Sequence, residues 1–360
     1  MNNSIEIKSE KAYNYLNNNP WTLVLGAGIC KNILPDWMDL TLNVVNEVFE
    51  FSWDWKHFKT KSDEVGFSLD SWLQAALNKF IQEGKSVDDF NILLEKHLYG
   101  GLITKAETYG IGDAIKMMMH NPHWLKQQEL FKIIDFFETE FPNCTLLQLV
   151  ETLLDSDPKL YRPESIITFN ADPLLHSLLV IYGVKNNYEK TGDYQFPIED
   201  YVRVTRPFES GDKKIPILHL HGAIYPQLPT TRKLKTDSRD NLIFSETSYT
   251  KTAGIMNSWA QNVFSYKSTH NRMVFIGLSM SDPNIRRWLS WSTENINAQL
   301  EIFTGKIHYV INNLWIKPKS KDNELNDFYS ASLVHLSTKP GWIDDWGDVK
   351  KGLLNLMGKK

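Results

Sequence analysis

Ser165-Ile166-Ile167-Thr168-Phe169-Asn170-Ala171-Asp172 reads as a buried apolar strand that ends on an amide and a carboxylate. Open α/β sheets put their ligand chemistry at that place, the carboxyl end of a strand. Three other runs share the design. Trp21-Thr22-Leu23-Val24-Leu25 closes on Gly26-Ala27-Gly28, Ile215 to Leu220 delivers His221-Gly222, and Met273-Val274-Phe275-Ile276 runs into Gly277-Leu278-Ser279-Met280-Ser281-Asp282. Pro173 then opens a helix over Leu174 to Tyr182, as proline at a first helical turn often does. Strand, turn and helix in alternation predict a Rossmann-like α/β fold with a parallel sheet.

The chain between the first two of these strands has another character. From Asp39 to about Leu153 apolar residues recur at three- and four-residue spacing with little β-branched alternation. The spacing predicts helices over 70–82, 87–99, 112–119, 124–140 and 144–154, divided by Gly100-Gly101, Gly110-Ile111-Gly112, Asn121-Pro122 and Phe141-Pro142-Asn143. This organisation is a helical insertion subdomain, 39–159, within a sheet domain made of 1–38 and 160–360. Residues 5–17 read as a first helix, Gly183 to Asp200 and Ala223 to Asp240 as loops, and Leu242-Ile243-Phe244 as a short strand. Later β runs fall at Ile307 to Ile311 and Ala331 to Leu336, before a last helix, Ile343 to Leu356.

Composition narrows the function classes. With 360 residues, 42% of them hydrophobic, the chain can fill a large core, and a net charge of −4 gives no electrostatic footprint for nucleic acid. No apolar run approaches the roughly 20 residues that span a bilayer. The first residues lack the apolar core of a signal peptide. Cys30 and Cys144 are the only cysteines, which suits a reducing, cytoplasmic compartment and is too few for a four-cysteine zinc site. No metal and no membrane are expected.

Each candidate residue has a bland reading beside its chemical one. The Gly26-Ala27-Gly28 turn is half of a dinucleotide fingerprint, since Lys31 stands where the third glycine would be; it is a phosphate loop or an ordinary tight turn. Asn170 and Asp172 can hold ribose or act as a turn and a helix cap. His221 can accept a proton near neutral pH or simply bond a backbone carbonyl, while His219 reads as structural. An Asn, an Asp and a His at strand ends together point to a nucleotide-handling enzyme.

In one order, the glycine turn, Thr168-x-Asn170-x-Asp172, His221-Gly222 and the run from Gly277 to Ile285 resemble the sirtuin-like NAD-binding family, from about residue 21 to about 290. Leu34-Pro35-Asp36-Trp37 and Ser281-Asp282-Pro283-Asn284-Ile285 look like the bacterial sirtuin-like domains of antiphage defence proteins. The resemblance implies that NAD is a substrate, with its pyrophosphate at Gly26, Ala27 and Gly28. It puts Asn170 and Asp172 by the nicotinamide ribose and the leaving nicotinamide, makes His221 the general base, and sets Gly277 and Ser279 against the adenosine half. Thr168 and Asp282 complete the cofactor-binding set.

Protein-deacylating members carry paired zinc-binding cysteines after the catalytic histidine, whereas residues 222 to 360 here contain none. The resemblance therefore implies an NAD hydrolase that yields nicotinamide and ADP-ribose, an antiphage effector held silent in a homo-oligomer or by a partner such as a translocase ATPase or a nucleotide sensor. A chain of this length leaves little room for a sensor of its own. The other readings are a nucleotide-sensing subunit that leaves NAD intact and an ADP-ribosyltransferase. An oxidoreductase fits least, for want of the full glycine fingerprint. Cys30 stands where many members have a small hydroxyl residue, and reads as a buried structural cysteine.

Overall fold

The computed structural model describes residues 4–17, 19–205, 214–228, 243, 248, 258–304 and 313–359. Among them, eight strands form one wholly parallel sheet: β1 Ile5–Glu6, β2 Trp21–Leu25, β3 Ser165–Thr168, β4 Tyr201–Val204, β5 Ile215–His219, β6 Arg272–Ile276, β7 Asn313–Pro318 and β8 Thr338–Ile343. Their order is β1-β8-β7-β6-β2-β3-β5-β4. From β2 the chain runs to β3, then out to β4 at the edge, back to β5 between those two, and on to β6 on the other side of β2. The order reverses at β2, so the crevice beyond its carboxyl end is the switch point where such sheets bind ligands.

Burial explains the sequence of the central strands. β2 and β3 are buried at every position, which is why they read as unbroken apolar runs. Leu23 pairs with Ile166, Val24 with Ile167 and Leu25 with Thr168. Alternate residues then serve two cores. Leu23, Leu25, Ile166, Ile217 and Ile276 pack on one face, while Val24, Ile167, Leu218 and Phe275 pack on the other.

Seven helices lie between β2 and β3: α1 Trp37–Phe49, α2 Trp55–Val65, α3 Leu69–Gln82, α4 Val87–Thr108, α5 Gly112–His120, α6 Gln127–Glu140 and α7 Thr145–Leu153. Buried side chains of all of these but α2, with those of α8 Leu174–Thr191, form a single hydrophobic cluster with the first face of the sheet. Caps set where they begin. The Asp36 carboxylate accepts from the Met38 and Asp39 N–H groups at 2.9 Å, and Ser86 and Asp89 close a capping box on α4. The opposite face is covered by α9 Trp259–His270 and α10 Pro283–Thr304. Helices α11 Asn323–Ser332 and α12 Val349–Met357 flank β8 in sequence. No described helix is long and apolar enough to cross a membrane.

Several sequence expectations need correction. Residues 5–17 are not a helix: Ile5 and Ile7 face alike in a short strand edge, Ile7 N–H donating to Trp342 O at 3.1 Å, and Asn14 takes a left-handed φ of 59°. Gly100-Gly101 does not break α4, because packing of its apolar face outweighs the propensity cost. α8 continues to Thr191, so the irregular segment expected from Gly183 begins later, and β4 and β7 fall where the sequence pattern marks no strand. Residues 331–336 end α11 and form a 3₁₀ turn; the strand is Thr338–Ile343, disguised by Pro340 and Gly341. The last helix starts at Val349, not Ile343. The expected strand at Leu242-Ile243-Phe244, Ile243 apart, the loop beyond Leu228 and the run Ile307 to Ile311 lie outside the described residues.

Candidate functional site at the strand ends

β3 ends on Thr168, whose Oγ1 accepts from the Asn170 N–H at 3.0 Å and so turns the chain at once. Phe169 N–H still donates to Leu25 O at 3.0 Å, which ties this turn to the end of β2. The turn leaves Asn170 and Asp172 buried. Asp172 Oδ1 accepts from the Leu174 N–H at 3.1 Å, so the carboxylate does cap the following helix. It also faces Cys30, whose Sγ lies 3.6 Å from Oδ2 and accepts from Asn170 Nδ2 at 3.7 Å. Cys30 thus links both side chains of the turn, a role that sequence reasoning misses. Asn170 Oδ1 is left buried with no partner, an acceptor available to a ligand hydroxyl.

Burial dominates the electrostatics. Desolvation lifts Asp172 to about 6, against smaller lowering effects from the Leu174 N–H, the Cys30 thiol and Asn170. Burial, then the Asp172 charge, pushes the Cys30 thiol well up, so it is no reactive thiolate. His221 is buried beside the Phe169 ring, with centroids 4.9 Å apart, and desolvation alone lowers it to about 4. Its imidazole is therefore neutral at pH 7. His219 Nδ1 lies 3.3 Å from Asn170 O, and burial lowers this histidine to about 3. It braces the turn from behind, as a structural residue would.

The glycines act through close approach. Gly26 N–H donates to Ile276 O at 3.0 Å, and Gly28 N–H donates to Gly277 O at 2.9 Å. A Cβ at Gly26 would stand 2.7 Å from Gly277 O, and one at Gly28 would stand 2.9 Å from the same atom. The turns after β2 and β6 are thus locked backbone to backbone at the switch point. Two of the amides expected to meet a pyrophosphate are engaged inside the protein.

Ala27, Cys30, Asn170 and Asp172 line one pocket together with Asp36, Trp37 and Leu40 around the start of α1 and Leu98 of α4. Its cavity volume is about 60 Å³, room for a few waters and not for a dinucleotide. His221 reaches this group through Phe169. Ser279 and Asp282 do not line it: exposed Ser279 bonds Ser281 Oγ at 2.6 Å, and Asp282 caps α10, accepting from the Asn284 N–H at 2.7 Å. Larger cavities of about 210 and 460 Å³ lie away from the strand ends, beside α8 and among Lys8, Lys350, Lys351 and Lys359. Among the described residues no three His, Cys, Asp or Glu side chains gather as a metal site.

Residues 164–327 match the SIR2-like domain family. The matched stretch runs from β3 into α11 and holds Thr168, Asn170, Asp172, His221, Gly277, Ser279 and Asp282, but not the glycine turn at 26–28. No curated protein matches the chain.

Proposed function

We propose that this chain, which matches the SIR2-like domain family over residues 164–327, binds NAD and hydrolyses it to nicotinamide and ADP-ribose. The observation that carries the reading is the buried set at adjacent strand ends: an unpartnered Asn170 Oδ1, Asp172 beside it, and neutral His221 one strand over. In the reaction the bond between ribose C1′ and the pyridinium nitrogen breaks, its electron pair leaving with nicotinamide. Water forms the new C–O bond and gives up a proton. Asn170 Oδ1 accepts a hydrogen bond from a ribose hydroxyl or from that water. His221 takes the proton, and Asp172 places negative charge beside the cationic leaving ring.

We also propose that the chain is a cytoplasmic antiphage effector, kept silent in a homo-oligomer or by a partner such as a translocase ATPase or a nucleotide sensor. Full activity from a species of monomer mass would overturn that control.

The test is NAD turnover by the purified chain, alone and in lysate of phage-infected cells, with nicotinamide and ADP-ribose both measured. His221→Ala is expected to slow release by about 10²–10⁴-fold, the usual worth of a general base. Asn170→Ala is expected to fail as well, with both variants folded by circular dichroism. NAD bound but unconsumed in every condition would favour a sensing subunit, and label on a macromolecule would favour ADP-ribosyl transfer.

A further inference from the structure

The backbone of Ile224 joins three parts of the molecule. Its N–H donates to Ala171 O at 2.7 Å, in the turn between Asn170 and Asp172. Its carbonyl accepts from the Tyr99 hydroxyl at 2.6 Å, and Tyr99 is a buried residue of α4. On the other side, Gly222 turns the chain away from His221 with a φ of 75°, its N–H donating to His219 O at 3.1 Å. Only Gly222 and Ala223 separate His221 from the residue that Tyr99 holds.

The grip continues beyond Ile224. His120 Nε2 lies 2.6 Å from Pro226 O, and the Glu95 carboxylate accepts from the Gln227 N–H. Arg203 stacks on Tyr225 at 4.7 Å while donating to the Met119 and His120 carbonyls. The helices α4 and α5 therefore hold the segment that follows His221 at several consecutive points.

We propose that Tyr99 is a positioning residue: through the Ile224 peptide it fixes His221 relative to the Asn170–Asp172 turn, so the helical layer sets the geometry of a site built on the sheet. Deleting the hydroxyl leaves a buried carbonyl without a partner, and the segment regains one only by moving toward water. A displacement of about 1 Å between reacting groups can cost about 10²-fold in rate. Phenylalanine keeps the buried ring of Tyr99 and removes only the hydroxyl. The kinetic consequence rests on the proposed hydrolysis; the geometric one does not.

The experiment compares Tyr99→Phe with Tyr201→Phe. Tyr201, on β4, is an equally buried tyrosine whose hydroxyl donates to Leu153 O at 2.8 Å. Tyr99→Phe is expected to lower kcat by about 10- to 100-fold while KM for NAD changes little, and Tyr201→Phe to leave both near wild type. Equal losses in the two variants, or an unchanged kcat in Tyr99→Phe, would overturn the proposal. Alongside, ¹³C-histidine NMR, with the His221 signal assigned by His221→Gln, reads geometry without turnover. The His221 resonance is expected to move in Tyr99→Phe, and its titration midpoint to rise toward that of an ordinary imidazole, with neither change in Tyr201→Phe. A stationary resonance would also refute it. A wild-type protein that releases no nicotinamide either alone or in lysate of phage-infected cells would sink the hydrolase reading and leave this one to be decided by the spectra.

Discussion

Asp172 pays at neutral pH for standing where it does. Its pKa is about 6 in the fold because burial disfavours the charge, against an ordinary 3.8 when unfolded. The native state therefore holds the proton over a range in which the unfolded chain has lost it, and stability falls as pH rises from about 4 to about 6, then levels off. The shift corresponds to about 3 kcal/mol at pH 7. Asp172→Asn keeps an oxygen for the Leu174 N–H and removes the charge, so its melting temperature is expected to exceed that of wild type at pH 7.5 and to converge with it near pH 4. Scanning calorimetry at the two pH values checks this, and a variant less stable at both would show that the carboxylate stabilises the fold. The places of Asn170, Asp172 and His221 are legible in the sequence because each follows directly on an apolar strand run. Tyr99 and Cys30 are not, because their partners lie 125 and 142 positions away and nothing local marks the contact.

At the scale of elements, glycine shows how context decides. Gly100 sits inside α4 with nothing within 4 Å of where a side-chain methyl would stand, whereas Gly277 has a φ of 72° and its Cβ would stand 2.7 Å from Ile29 N and 2.9 Å from Gly26 O. Gly100→Ala is expected to stabilise the protein by about 0.5–1 kcal/mol. Gly277→Ala meets backbone on both sides in a conformation that alone costs about 1–2 kcal/mol, and is expected to lose more than that. Urea denaturation midpoints check the pair, and shifts of the same sign would contradict the packing of the two turns. The same contrast explains which elements can be read in advance. The central strands carry their burial in their composition, so β2, β3 and β6 stand out. β8 carries Pro340 and Gly341, and its place is fixed by pairing with β7 and β1, which no local pattern reports. Gly100-Gly101 resembles a stop, yet Leu98, Tyr99 and Leu102 bury one face through it and α4 continues.

For the molecule as a whole, the question is whether the helices between β2 and β3 form a body of their own. Leu40, Val44, Phe90, Leu94 and Phe137 belong to the same buried cluster as Leu23, Leu25, Ile166 and Ile217 of the sheet. Unfolding those helices alone would strip one face of the sheet, and at roughly 25 cal/mol per Å² of apolar surface that exposure is costly enough to bring the sheet down with them. A single cooperative transition is therefore expected, with calorimetric and van't Hoff enthalpies in agreement. Two resolved transitions would show instead that helices and sheet are separate folding units. A shared core also bears on control. Force or binding energy applied to α4 reaches Ile224 and the strand ends through packed side chains and one hydrogen bond, without a hinge between. A partner gripping the helical layer would then act on His221 through Tyr99 and Ile224, and a folding unit that melted separately would lose that lever.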